Sequence, residues 1–488
     1  MLSARNESGF RSSAFLIASA ILIALLTCAS SVGAWFENVA SDENQVETGI
    51  QRIRQLKFKK PVPILHKTRA QVAQILMREV ANENGQQQES DARVAAGTML
   101  GRYHHATDVK AQSVKLYLSQ IDAFYDFRRK EMVILEGPRQ IAERLGFRFV
   151  GYGDWRDDMV LAHELTHALQ DQNFQAGSRI TRISDNSDAV LAFKSLIEGD
   201  AVLAGFAYVR GGMDESLADF ITAHLSDLPQ VSAAQSKNMP DALSIPFLFQ
   251  YAEGTAFVRE AYRRGGWDSV DAAFRNPPES SQQIIDPSLY FDHPTRPVRI
   301  QIGGYQKKLA GWKKILEDTY GELALRMIMQ MSFGREASQV EVARRWTGDK
   351  MVVLRRGTEE TVIWMIAFDN EQGASLFADF YSQVLDTVDG TQNPPGTPDA
   401  LNHPTPHEID QVGNKVLVVA GPGASKFSTL APSIWQASKV IDPNSSPPPA
   451  PSADDDQTNA ISNGIDHLKD MLRDWFLYGV GRGDPLRY

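Results

Sequence analysis

Apolar residues surround the stretch Ala162-His163-Glu164-Leu165-Thr166-His167-Ala168-Leu169-Gln170 on nearly every side. Met159, Val160, Leu161, Leu165, Ala168 and Leu169 fall at helical spacing but spread around the helix, the pattern of a helix buried in a core. Asp157 or Asp158 is placed to cap its N-terminus. A second helix is expected over residues 188–209, opened by Ser187 or Asp188, with Ser195, Glu198, Ala201, Val202 and Gly205 on one face. The small residues on that face let its backbone approach the first helix closely. Residues 215–228 and 245–264 read as further helices, the latter stopped by Gly265-Gly266. Upstream, residues 123–127 and 132–135 alternate in hydropathy around Arg128-Arg129-Lys130, as in a hairpin. Residues 40–92 mix an entry helix, an extended proline-containing stretch over 57–64 and a polar helix from Arg69. Residues 83–88 read as a surface loop, with further helix to about Tyr117.

Beyond residue 304 the pattern changes. Helix is expected over 309–333 and 340–345, and Trp346-Thr347-Gly348-Asp349 reads as a turn. Strands follow over 351–354 and 361–368, joined by a turn at Gly357, then helix over 373–384, strand over 415–420 and helix over 426–439. The order predicts a small α+β unit with an antiparallel sheet. The fold class is therefore α+β: a mostly helical unit with a small edge sheet over 40–304, then a smaller α+β unit over 305–442. Residues 443–463 form a Pro/Ser/Asp linker and 464–488 an amphipathic helix and tail, with Ile465, Leu468, Leu472, Trp475 and Phe476 on one side. Docking of that helix back on the body is the default expectation, since it also carries several acids.

The chemistry lies in the buried first helix. His163 and His167 are four residues apart and so face the same way, offering two imidazole nitrogens to one zinc ion. Glu164 sits beside the water such an ion activates and can take its proton. Two histidines and a glutamate inside an apolar helix are costly unless something satisfies them. A hydrolytic zinc usually takes three protein ligands, and Asn173 stands where a third His would fall in the longer H-E-x-x-H-x-x-G-x-x-H pattern. Glu198, among the small residues of the second helix, is the next credible ligand. By contrast, prolines exclude a helix from His403-Pro404-Thr405-Pro406-His407, which reads as loop, and His104-His105 reads as a surface pair.

Four separated segments come in a recognisable order: Tyr125-Asp126; His163 through Gln170-Asp171-Gln172; Glu198-Gly199-Asp200-Ala201; and Gly265-Gly266-Trp267 followed by Pro277-Pro278-Glu279-Ser280-Ser281-Gln282-Gln283. Together they resemble a family of bacterial and archaeal zincin-like metallopeptidases of the gluzincin type, over roughly residues 50–380. The resemblance implies a zincin fold, one zinc ion, His163, His167 and Glu198 as ligands, and Glu164 as base. It also marks departures. Gluzincins place an aspartate four residues after the third ligand as partner of a ligand histidine, where this chain has Val202; Asp200 and Asp171 are the nearby substitutes. Relatives tend to carry a His where this chain has Asp286, leaving Tyr290, His293 or Arg296 to supply a donor to the oxyanion.

Composition narrows the setting. Residues 1–34 read as a secretory leader: Arg5 and Arg11, a short apolar run over 14–27, then Val32-Gly33-Ala34. The single cysteine, Cys28, lies within it, so a mature chain beginning after Ala34 carries neither a disulfide nor a cysteine-bound metal. The expected location is periplasmic or extracellular, with a lipoprotein or membrane-anchored form as the alternative and membrane contact confined to the leader or the C-terminal helix. A formal charge of −10 argues against nucleic acid as partner. The expected function is that of an exported zinc metallopeptidase acting on peptide or protein. The alternatives are a non-catalytic extracytoplasmic scaffold that binds peptides or envelope partners on the same fold, and a zinc hydrolase of a non-peptide bond.

Overall fold

The computed structural model describes residues 43–81, 84–103, 123–136, 155–226, 241–334, 338–388 and 405–445. The leader with Cys28, His104-His105, His403, most of the linker and the C-terminal helix lie outside them. The architecture is α+β: a helical body with a three-stranded sheet, and a five-stranded antiparallel sheet with helices on both faces.

The helical body opens with α1 (Glu43–Arg54), followed by strand β1 (Ile64–Thr68), α2 (Arg69–Ala81) and α3 (Asn84–Met99). The expected loop at 83–88 is instead helical from Asn84. Its polar run misled because α3 has only a thin apolar stripe: Ala92, Ala96 and Leu100 are buried, and they pack against the five-stranded sheet rather than the helical body. Strands β2 (Ala123–Asp126) and β3 (Glu131–Glu136) form the expected hairpin, and β1 joins it in parallel to give the order β1-β3-β2. Then come α4 (Trp155–Phe174), α5 (Ala176–Arg182), α6 (Ser187–Arg210), α7 (Glu215–Ser226) and α8 (Asp241–Arg275). Helix α8 breaks at Gly265-Gly266 and resumes at once. Short helices α9 (Ser281–Ile285) and α10 (Ser288–Phe291) close the body.

Two caps differ from expectation. Helix α4 starts at Trp155, so Asp157 and Asp158 lie inside its first turn. Helix α6 is capped by Asn186, which accepts the Ala189 N–H at 2.9 Å, leaving Ser187 and Asp188 free for tertiary bonds.

Helix α6 is the axis of the body, buried on nearly every side between α4 and α8. Small residues set both distances. A Cβ on Gly205 would stand 3.0 Å from the Met159 carbonyl oxygen of α4, and one on Gly254 of α8 would stand 2.2 Å from the Ser195 carbonyl oxygen of α6. The second contact admits no side chain at all.

Strand β4 (Arg299–Gln301) leads to β5 (Lys313–Asp318), α11 (Gly321–Phe333), a 3-10 turn (Ser338–Arg345), β6 (Trp346–Arg356), β7 (Glu359–Phe368), α12 (Glu371–Val388), β8 (His407–Val412), β9 (Lys415–Ala420), α13 (Phe427–Ala437) and β10 (Lys439–Ile441). Strand β10 pairs with β4, and the large sheet runs β5-β6-β7-β9-β8. Its inner strands are apolar throughout because both faces are covered. Val362, Trp364, Ile366 and Phe368 of β7 face α3, α11 and α12, while Ile363, Met365 and Ala367 face α13.

Three expectations fail here. Leu309, Trp312 and Leu316 have helical spacing, yet residues 313–318 form edge strand β5, and helix begins only at Gly321. The polar Trp346-Thr347-Gly348-Asp349 is not a turn but the bulged start of β6. Asp349 is buried and accepts four hydrogen bonds, from the Tyr320 and Gly321 backbones and from the indoles of Trp346 and Trp364. His407, expected in a loop, begins β8, since the last proline lies just before it.

The two sheet-bearing parts are tied by buried polar bonds. Asp318 accepts from the Ser187 N–H and hydroxyl and pairs with Arg93. Asp188 Oδ1 accepts the Ser281 N–H at 3.0 Å, and Ser281 Oγ accepts the Leu323 N–H at 3.1 Å.

Because α6 and α8 touch through backbone at Gly254, Gly254→Ala is expected to lower stability by about 1–3 kcal/mol. Gly212→Ala, where a Cβ meets nothing within 4 Å, should stay within about 0.5 kcal/mol. Denaturant melts of the two variants check this; equal midpoints would contradict it.

Candidate metal centre

Helix α4 presents His163 and His167 one turn apart, and α6 crosses it with Glu198 opposite them. The two Nε2 atoms are 3.1 Å apart, and the rings meet edge to face. Glu198 Oε2 lies 3.2 Å from His163 Nε2 and 3.6 Å from His167 Nε2. Ligand atoms at the vertices of a tetrahedron about 2.0–2.1 Å from zinc are about 3.3–3.4 Å apart. The three side chains thus already have the spacing of such a site. Among the described residues they are the group of His and acids whose ligand atoms converge in this way.

The donor set itself fits a cation. Glu198 Oε2 is buried and accepts no hydrogen bond. Burial raises the carboxyl's pKa, but the facing imidazoles outweigh it and hold Glu198 at about 2. Burial also pushes His167 down to about 4, so its ring is neutral at pH 7 and its lone pair is free to bind a metal. The cluster is not sealed: His163 and Glu198 keep 11% and 20% side-chain exposure, enough for solvent to reach it.

Glu164, next to His163 on α4, reaches the hairpin. Its Oε2 accepts the Tyr125 N–H of β2 at 2.9 Å. Strand β2 is an edge of its sheet, so this N–H is free of the ladder. Burial pushes Glu164 up to about 7, opposed by His163 and the Tyr125 N–H and reinforced by Glu198.

The outer partner of His167 is neither of the aspartates expected to touch a ligand histidine directly. Asp171 is engaged by Lys130 Nζ at 2.6 Å and by the Tyr125 hydroxyl at 3.2 Å. His167 Nδ1 instead meets Gln170 Oε1 at 2.9 Å. Gln170 is fully buried, and its Nε2 donates to the Ile197 carbonyl and, at 2.8 Å, to Asp200 Oδ2. Asp200 therefore serves the site through Gln170, three residues beyond His167 on the same face. The signal was in the sequence as an amide at i+3 from a ligand histidine.

The residues expected to steady an oxyanion are placed elsewhere. Tyr290 gives its hydroxyl to the Asn276 carbonyl and packs on Phe257 and Phe291. His293 is exposed beside Asp292, and Arg296 pairs with Glu279. Asp286 accepts from the backbone and hydroxyl of Ser288 at the start of α10. Two aromatics flank the cluster: Phe127, 5.9 Å from His167 between ring centroids, and Tyr251 of α8, stacked on His163 at 6.3 Å and against Phe247 at 5.2 Å. Nothing in the sequence pattern singled Tyr251 out.

Residues 308–431 match a family described as a Domain of unknown function (DUF8575). The match covers the five strands of the large sheet with α11, α12 and the start of α13, and does not include His163, Glu164, His167 or Glu198. No curated protein and no solved structure matches the chain.

Removing the amide that holds His167 tests the site's construction. Gln170→Leu is expected to keep the fold but weaken zinc binding about 10–100-fold, read by competition with a chromophoric chelator. Unchanged affinity would show that His167 needs no such partner.

Proposed function

We propose that this chain is a zinc-dependent metallopeptidase of the gluzincin type, exported by its N-terminal leader, with one zinc ion held by His163, His167 and Glu198. The observation that carries the reading is the convergence of these three ligand atoms beside a buried Glu164. Zinc bound there would act as a Lewis acid, acidifying water and polarising a scissile carbonyl.

The remaining work falls to side chains and backbone of this chain. Glu164, with a proton affinity near neutrality, takes the water's proton and returns it to the leaving amine, the match of pKa and pH that general base catalysis requires. The Tyr125 N–H orients the carboxylate for that task. Gln170 holds the His167 ring, and Lys130, paired with Asp171, fixes the hairpin against α4. Edge strand β2, whose Tyr125 N–H meets Glu164, runs past the base, and an extended peptide backbone laid along it would come next to Glu164. Protein or peptide is therefore the substrate class we assign. Tyr251 supplies an aromatic wall beside His163 in place of Tyr290 and His293.

No described helix is long and apolar enough to cross a membrane. The export reading rests on the leader sequence, and the scaffold alternative gains no support from the site, where the base and all three ligands are kept together.

In Glu164→Gln, hydrolysis of an unstructured protein such as casein should fall about 10²–10⁴-fold with zinc content unchanged. Parental cleavage by that variant would remove Glu164 from the mechanism.

A further inference from the structure

Arg54 is a fully buried arginine at the end of α1, far in sequence from every residue of the metal cluster. Its Nε lies 2.7 Å from Asp200 Oδ1, its outer nitrogen lies 2.7 Å from Asp271 Oδ1, and its guanidinium carbon stands 4.4 Å above the Trp267 ring. We propose that Arg54 is a positioning residue for the metal centre, acting through Asp200 and Gln170 to set which nitrogen of His167 is offered to the metal. The proposal rests on the metallopeptidase reading for its purpose.

The argument follows the hydrogen atoms. Both acceptors of Gln170 Nε2, the Ile197 carbonyl and Asp200 Oδ2, can only accept, so the amide nitrogen must face them. The amide oxygen then faces His167 Nδ1, which must carry the hydrogen. The Nε2 lone pair is left pointing at His163 Nε2 and Glu198. A Gln170 turned end for end would instead donate to Nδ1 and leave Nε2 protonated, unable to bind a metal. What prevents the turn is a carboxylate held in one place, and Arg54 is what holds it: Asp200 is fully buried, with Oδ1 on the guanidinium and Oδ2 on the amide.

The same contacts give a purpose to Gly265-Gly266-Trp267. The break in α8 redirects its last turns, and Trp267 and Asp271, four residues apart, present one face to Arg54. The ring covers the guanidinium plane while Asp271 takes its far nitrogen. Only a planar fork meets a carboxylate on each side and a ring on its face together; an ammonium does not.

Zinc affinity, measured by chelator competition on the full chain, separates positioning from mere support. Arg54→Lys keeps the charge and loses the fork. It should lower affinity about 10–100-fold, and the double variant Arg54→Lys/Gln170→Leu should bind no more weakly than Gln170→Leu alone, because both act along one path. Asp349→Ala, which destabilises the fold far from the cluster, sets how much affinity is lost through instability; it should keep parental affinity. The electronic spectrum of the cobalt-substituted chain should shift in Arg54→Lys and not in Asp349→Ala. If Arg54→Lys fails to fold, Asp271→Asn at a partly exposed site replaces it, with a smaller drop of the same sign. Parental affinity in both Arg54→Lys and Asp271→Asn, or strict additivity in the double variant, overturns the proposal. A parent chain that takes up no zinc overturns the metal centre itself, a result distinct from a zinc-binding parent indifferent to Arg54.

Discussion

Three lone-pair donors, two imidazole nitrogens and a carboxylate oxygen, are brought within 3.6 Å of one another in a largely buried place. Burying such groups without partners is unfavourable, so the surrounding helices must impose the arrangement. The imposition is steric. Helix α6 is pressed between α4 and α8 at contacts where glycine is needed, and Glu198 lies between Ser195 and Gly199 on that seam. A cation bound there would resolve the electrostatic tension that the packing creates, and this is what makes the cluster a candidate metal centre.

Around that centre the polar groups have separate duties. Glu164 meets the edge strand at the Tyr125 N–H, and Asp171 locks the hairpin through Lys130 and Tyr125. Gln170, Asp200 and Arg54 run inward from His167 through the core. The five-stranded sheet is joined to this body by the buried carboxylate of Asp318 on the start of α6, while Asp349 ties β6 to the turn into α11. The part of the chain that matches DUF8575 is thus packed onto the N-terminal end of the helix that carries Glu198.

Legibility in the sequence followed the range of the interactions. His163, Glu164 and His167 were visible because their geometry is set within one helical turn, and Glu198 because small residues flank it at helical spacing. The inner strands were visible as unbroken apolar runs. Asp349 reads locally as a turn residue because its four donors come from β6, β7 and the entry to α11, none of which adjacency reveals. Strand β5 was hidden by apolar residues at accidental helical spacing, and α3 by a stripe made mainly of alanine. Arg54 and Tyr251 carry no local signal: one comes from α1 and the other from α8, both distant in sequence from α4. Tyr290 and His293 have suitable chemistry and lie near Asp286 in sequence, but the Tyr290 hydroxyl goes to the Asn276 carbonyl and His293 is exposed.

The most direct test is the zinc content of the purified, zinc-supplied chain, measured by elemental analysis after removal of loosely held ions. One zinc per chain in the parent and none in Glu198→Ala is the outcome expected of a site closed by the carboxylate from the second helix. A parent without zinc, or a Glu198→Ala chain that retains it in full, would contradict the account.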